Sequence, residues 1–196
     1  MYTPTYLSNE NIAVCLYLMS FVGDLFDGMA ARKFNQCSSF GGLLDMITDR
    51  CSTAGLLFVL SGEYLESPYY SHLRFLFMFL ILLDVSSHWC QYYSTSALPN
   101  VAHHKSAEGN KDRFFILRWY YGIYAFFGYC CVGAEATYIL LYVLANVSES
   151  DDFYSVYHTA LLAVIPACVV KHFVNVVQLC SACTAVAQHD ANLKNQ

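Results

Sequence analysis

Five long apolar stretches, at 11–31, 42–60, 70–93, 119–145 and 153–179, are separated by shorter polar segments. Each has about the 20 residues that an α-helix needs to cross a bilayer. The pattern predicts an all-α, polytopic integral-membrane helical bundle with five spans. No internal repeat and no low-complexity segment interrupts it, so 1–190 reads as a single membrane domain and 191–196 as a short tail. The first stretch does not read as a cleaved signal. No Lys or Arg precedes it, and it ends in Asp24, Asp27 and Arg32 where a cleavage site would stand.

Composition narrows the class. Apolar residues make up 57% of the 196 and charged ones 13%, with a mean hydropathy of +0.38; soluble domains carry about 25% charged residues. An ordinary soluble domain is excluded, and the length leaves no room for a separate soluble catalytic module. A net charge of −5 with ten Lys and Arg provides no basic footprint for nucleic acid. The nine cysteines lie mostly inside apolar runs and read as reduced thiols, with Cys180 and Cys183 as two helix-surface thiols.

Charge also orients the chain, because Lys and Arg accumulate on the cytosolic side of short loops. Arg32 and Lys33 follow the first stretch, Lys105, Lys111, Arg113 and Arg118 follow the third, and Lys194 lies in the tail. Glu63 and Glu66 after the second stretch, and Glu149, Asp151 and Asp152 after the fourth, mark the opposite side. The C-terminus is therefore expected in the cytosol and the N-terminus across the membrane. The glycosylation sequon Asn146-Val147-Ser148 falls on that far side, close to the bilayer.

Four acids stand where a membrane tolerates them least. Asp24 and Asp27 share one helix face, Asp45 and Asp49 another, and a short connection joins the two helices. Both pairs then converge near the cytosolic ends of antiparallel neighbours. An intramembrane Asp costs ~3 kcal/mol, so four uncompensated ones cost on the order of 10 kcal/mol. Arg32 and Arg50 carry too little positive charge to offset this. Clustered carboxylates without His or Cys suit Mg²⁺ or Mn²⁺, and two such ions ~4 Å apart can share four carboxylates. Helix capping explains one or two of the acids. It does not explain Gly28 and Gly41, which remove side chains where a phosphate would approach. Metal-bound carboxylates with an Arg and glycines point to phosphoryl transfer.

The spacing Asp24-x2-Asp27-Gly28-x2-Ala31-Arg32-x8-Gly41-x3-Asp45-x3-Asp49 resembles, without gap or substitution, the signature of the CDP-alcohol phosphatidyltransferases. The words around Leu44 to Thr53, Leu83 to Trp89 and Leu117 to Tyr121 resemble the inositol-using branch of that family. The resemblance runs from about Ala13 to Asp190. It implies transfer of a phosphatidyl group from CDP-diacylglycerol to myo-inositol with release of CMP, by a homodimeric six-span protein of the endoplasmic reticulum membrane whose site faces the cytosol. It also implies that Asp24, Asp27 and Asp45 are metal ligands. Asp49 then completes the second metal's shell and acts as general base, Gly28 and Arg32 hold the CDP moiety, and Gly41 lets the nucleotide pack closely. The family has one more transmembrane helix, and a short interfacial helix, before the span with the first Asp pair. On that comparison this chain reads one helix short, as an alternative-start or splice form or an incomplete gene model.

For the inositol pocket the residues are less specific. Asp84 and His88 form an i, i+4 pair, either a polyol-binding pair or a structural hydrogen bond between helices. Arg118 and Lys171 read as site cations, Lys105 as a headgroup contact, and Glu135 must be paired, protonated or facing water. Other readings stay open on the residues: a transferase for another alcohol, a short non-catalytic isoform that modulates a full-length enzyme, or a small transporter with the acids as a cation site. The last lacks the repeated halves that transporters tend to show.

Overall fold

A computed structural model describes residues 10–97 and 115–194. Six α-helices order them: α1 (Glu10–Lys33), α2 (Ser39–Glu63), α3 (Tyr70–Ala97), α4 (Phe115–Gly122), α5 (Tyr124–Asn146) and α6 (Tyr154–Lys194). No strand occurs among the described residues. The chain divides into two compact units, Met1–Ser52 and Thr53–Gln196, with the boundary inside α2. Among the described helices α1, α3, α5 and α6 are long and apolar enough to cross a membrane. At 25 residues α2 matches them in length, but Asp45, Asp49 and Arg50 lie inside it.

In the first unit, backbone chemistry sets the turn between α1 and α2. The amide of Gln36 donates to the Ala31 carbonyl (2.8 Å) and that of Asn35 to the Arg32 carbonyl (3.4 Å). This is the Schellman arrangement that closes a helix, and it needs a left-handed residue, which Asn tolerates better than most. Asn35 has φ 54°. Three residues on, Ser38 caps α2: its Oγ accepts from the Gly41 amide at 3.0 Å, while its carbonyl starts the helical ladder with Gly42. Two capped ends five residues apart thus fix the reversal of the chain.

In the second unit the packing is inverted relative to a soluble protein. On α3 Phe75, Phe79, Leu82 and Trp89 are exposed, whereas Asp84, Ser87, Gln91 and Ser94 are buried. On α6 Leu162, Val169 and Phe173 face outward, and Lys171, Asn175, Gln178 and Ser181 are buried. Lipid solvates the apolar face at no cost, so polar side chains gain by turning toward one another between helices. Apolar contacts complete the interior, with Leu57, Leu60, Phe77, Ala134, Tyr138 and Cys168 in one cluster. Close approach of α5 and α6 rests on Gly133, where a Cβ would lie 2.5 Å from that of Ala167. At one end of this unit Asn146 Nδ2 donates to Glu63 Oε2 (3.2 Å) and the Tyr64 hydroxyl to the Leu141 carbonyl (2.9 Å). These bonds bring the ends of α2 and α5 together, each leading into one of the two acidic loops.

The predicted stretch 119–145 is not one helix. It breaks at Ile123, whose φ of −106° and ψ of 88° leave the helical region, next to Gly122, a poor helix former. Aromatic rings hold the broken ends together: Trp119 lies 4.9 Å from Phe126 and Tyr120 5.4 Å from Phe127. These contacts and the burial of Leu117 and Tyr120 fold α4 back against α5 and α6. The last helix, 41 residues with Pro166 inside it, spans ~60 Å at 1.5 Å per residue, about twice a bilayer's hydrocarbon thickness. It runs on to Lys194, through part of the expected tail.

Candidate functional site

The turn in the first unit brings the acids together. Carboxylate oxygens of Asp24 on α1 and of Asp45 and Asp49 on α2 all lie within 4.8 Å of one another, and each residue is partly buried. The Arg50 guanidinium stands 3.2 Å from Asp49 Oδ2. Two carboxylates ~4 Å apart repel by about 4 kcal/mol at an effective dielectric of 20. Such a gathering of carboxylates presents an all-oxygen donor set that fits a hard divalent cation. Asp27 is exposed and stands outside this group.

Beside the acids, Gly28 and Arg32 are i, i+4 partners on α1. A Cβ on Gly28 would lie 3.5 Å from Arg32 Nη1, so the guanidinium folds back over the glycine. Arg32 is itself exposed. At Gly41 a Cβ would approach Ser38 Oγ to 3.2 Å, so this glycine also makes room for the cap of α2.

The second unit holds a buried polar ring between α3 and α6. Asn175 Nδ2 donates to Asp84 Oδ1 (3.0 Å), and Lys171 Nζ donates to Asn175 Oδ1 (2.9 Å). Lys171 Nζ also lies 3.4 Å from His88 Nε2. His88 Nδ1 is 2.8 Å from the Asp84 carbonyl and 3.5 Å from Asp84 Oδ1. Facing an ammonium, His88 Nε2 acts as acceptor, which assigns the ring proton to Nδ1 on the Asp84 side. The seam continues along both helices, where Gln178 Nε2 reaches the Ser87 carbonyl (3.5 Å) and the Tyr121 hydroxyl donates to Gln178 Oε1 (3.3 Å).

Two further part-buried contacts tie α5 in. Thr53 Oγ1 donates to Glu135 Oε1 (2.7 Å), which answers how that acid is accommodated mid-helix. Tyr138 Oη lies 2.6 Å from His172 Nε2. By contrast, the groove of about 790 Å³ among α4, α5 and α6 is lined by apolar and aromatic residues such as Phe115, Trp119 and Phe173. None of the predicted site residues whose side chains are described lines it.

The family model for CDP-alcohol phosphatidyltransferases matches residues 4–147. The chain belongs to the CDP-alcohol phosphatidyltransferase family. Similar curated relatives include CDP-diacylglycerol–inositol 3-phosphatidyltransferase 1 of Arabidopsis thaliana, 37% identical over 93% of this chain and 80% of the relative. The CDP-diacylglycerol–inositol 3-phosphatidyltransferase of Schizosaccharomyces pombe is 34% identical over 93% and 80%, and that of Homo sapiens 35% over 91% and 80%. No solved structure matches the chain.

Within this CDP-alcohol phosphatidyltransferase, three of the four signature acids are gathered, and the Arg32 guanidinium lies where a Cβ on Gly28 would meet it. Asp84, His88 and Lys171 join one hydrogen-bonded ring. The side chain of Arg118, together with all of Lys105, Lys111, Arg113 and the His103–His104 pair, lies outside the described residues. Sequence reasoning missed Asn175 and Gln178. The signal was present in the spacing of Lys171, Asn175, Gln178 and Ser181, which recur every three or four residues on an otherwise apolar helix.

Proposed function

We propose that this chain catalyses phosphatidylinositol synthesis, transferring the phosphatidyl group of CDP-diacylglycerol to myo-inositol and releasing CMP. The gathering of Asp24, Asp45 and Asp49 within the family signature carries the chemistry. The relatives' printed activity supports inositol as the acceptor.

In this reading Asp24, Asp45 and Asp49 would hold divalent cations, Mg²⁺ or Mn²⁺, two ions being shared once Asp27, exposed on the same helix as Asp24, joins them. When bound, such ions would neutralise charge on the pyrophosphate and acidify the attacking hydroxyl. Asp49 takes the proton of the attacking inositol hydroxyl. The new bond forms between that oxygen and the phosphatidyl phosphorus, and the bond from the same phosphorus to the CMP oxygen breaks, so CMP leaves with the electron pair. Arg32 screens the pyrophosphate, and its fork suits paired phosphate oxygens. Gly28 keeps the facing surface of α1 open to the nucleotide, and Gly41 does so on α2. Asp84, His88, Arg118 and Lys171 recognise the polyol by supplying both donors and acceptors for its hydroxyls. The protein works as a homodimer in the endoplasmic reticulum membrane, with its site on the cytosolic side, the side to which the charge rule assigns the loop lysines and arginines.

The test incubates membranes containing the chain with CDP-diacylglycerol, a divalent cation and a panel of labelled alcohols. Labelled lipid is expected from inositol and not from choline or glycerol phosphate. Use of another alcohol with inositol ignored would overturn the acceptor assignment.

A further inference from the structure

Of the nine cysteines, three gather toward one end of the α3–α6 seam. The two helices run side by side in the same direction, since Asp84 pairs with Asn175 and, one turn on, Ser87 with Gln178. A further turn brings Cys90 level with residue 181, between Cys180 and Cys183. There the Cys90 and Cys183 side chains are joined by a hydrogen bond across the helix interface. Cys90 is half-buried, Cys180 and Cys183 are exposed, and all three are free thiols.

Depth in the membrane governs what reaches these thiols. Counted from the starts of α3 at Tyr70 and α6 at Tyr154, Cys90 and Cys183 lie ~30 Å and ~44 Å along their helices at 1.5 Å per residue. Both helices start beside the acidic loops, and a hydrocarbon core about 30 Å thick ends near that level. The pair thus sits at the membrane surface to which the charge rule assigns the cytosol, within reach of water-soluble reagents. Geometry selects the partners. A disulfide needs Cβ atoms about 3.5–4.5 Å apart, whereas residues three apart on a helix hold theirs about 5–6 Å apart. Cys180 and Cys183 therefore cannot bridge without unwinding α6, although their spacing is that of a redox motif. Cys90 approaches from another helix and is free of that constraint.

We propose that Cys90 and Cys183 are a site of reversible oxidation, closing a disulfide between α3 and α6 by exchange with a small-molecule disulfide. The exposed Cys183 thiolate attacks one sulfur of the reagent, giving a mixed disulfide and releasing one reagent thiolate. The Cys90 thiolate then attacks the Cys183 sulfur, forming the Sγ–Sγ bond and releasing the second. The two protein thiols lose two electrons and two protons, and the reagent is reduced to two thiols. In a reducing compartment such a bond is transient, as cytosolic disulfides with sensing roles are. While it lasts, it ties α3 to α6 just past the buried polar ring.

Peptide mass spectrometry on membranes containing the full chain tests it, after treatment with oxidised glutathione, quenching, unfolding and alkylation of the remaining thiols. The expected product is a Cys90–Cys183 cross-linked peptide, lighter by two hydrogen atoms than its parts, with Cys90 lost from the alkylated pool until dithiothreitol restores it. In Cys183→Ser the cross-link vanishes and Cys90 is alkylated as in untreated membranes. In Cys90→Ser the reaction stops at a glutathione adduct on Cys183. A Cys180–Cys183 cross-link, a glutathione adduct that persists on Cys183 in the unaltered chain, or no loss of free thiol at Cys90 overturns the proposal. So does the absence of an adduct on Cys183 in Cys90→Ser. Should either serine variant not accumulate, Cys90→Ala or Cys183→Ala replaces it, with the same expected products and the same contrary results.

Discussion

The two polar regions of this chain handle charge in opposite ways. In the first unit three carboxylates crowd within 4.8 Å of one another, partly exposed, with an arginine beside them. Between α3 and α6 one carboxylate and one ammonium are buried in a ring of amide, imidazole and backbone partners that matches donors to acceptors. The first region gathers like charges whose oxygens form a donor set suited to a cation. The second is balanced within itself, as an interior site must be when no water can compensate. Charge alone marks neither as functional; how far the protein satisfies it differs between them.

This comparison can be broken by removing one group from each region. Asp24→Ala is expected to reduce turnover by about a thousandfold, as losses of preorganised electrostatic groups do. It should also leave thermal stability in chelator unchanged or raised, because a repulsive neighbour is gone. A fall in metal-free stability would mean that the acids are structurally satisfied and the contrast is false. Lys171→Met should lower stability by about 3–5 kcal/mol in detergent unfolding, since it removes the buried positive charge from the ring that holds Asp84. Adding Asp84→Asn in the same chain should recover part of that loss, and no recovery would deny the coupling. A smaller effect is expected away from both regions. Gly133→Ala pushes a Cβ against Ala167, and overpacking of this kind costs about 1–3 kcal/mol. The smallest belongs to Thr53→Val, which removes the donor to Glu135 and should cost about 1–2 kcal/mol of stability.

Much of the arrangement was legible in the residues. Apolar runs of bilayer length placed α1, α3, α5 and α6, and two Asp pairs flanking a short connection foretold the convergence seen at Asp24, Asp45 and Asp49. The break at Ile123 was hidden because residues 119–129 are almost uniformly apolar and aromatic, so the pattern has no contrast with which to mark an end. The ring around Lys171 was half visible: Asp84 and His88 announced themselves as a pair, but Asn175 acquires meaning only when α6 lies against α3, 91 residues away in sequence. Glycines were read for the ligand alone. Gly41 serves its own helix cap as well, a use that depends on which residue becomes Ser38's partner.

The central claim is that the acidic cluster drives phosphatidyl transfer, and the rate of labelled phosphatidylinositol formation by Asp49→Ala tests it most directly. With CDP-diacylglycerol, inositol and Mg²⁺ or Mn²⁺ supplied to protein shown to be folded, the unaltered chain should form the lipid, and the variant should lose activity by at least about a thousandfold. Turnover undiminished in Asp49→Ala would contradict the assignment of both base and metal site.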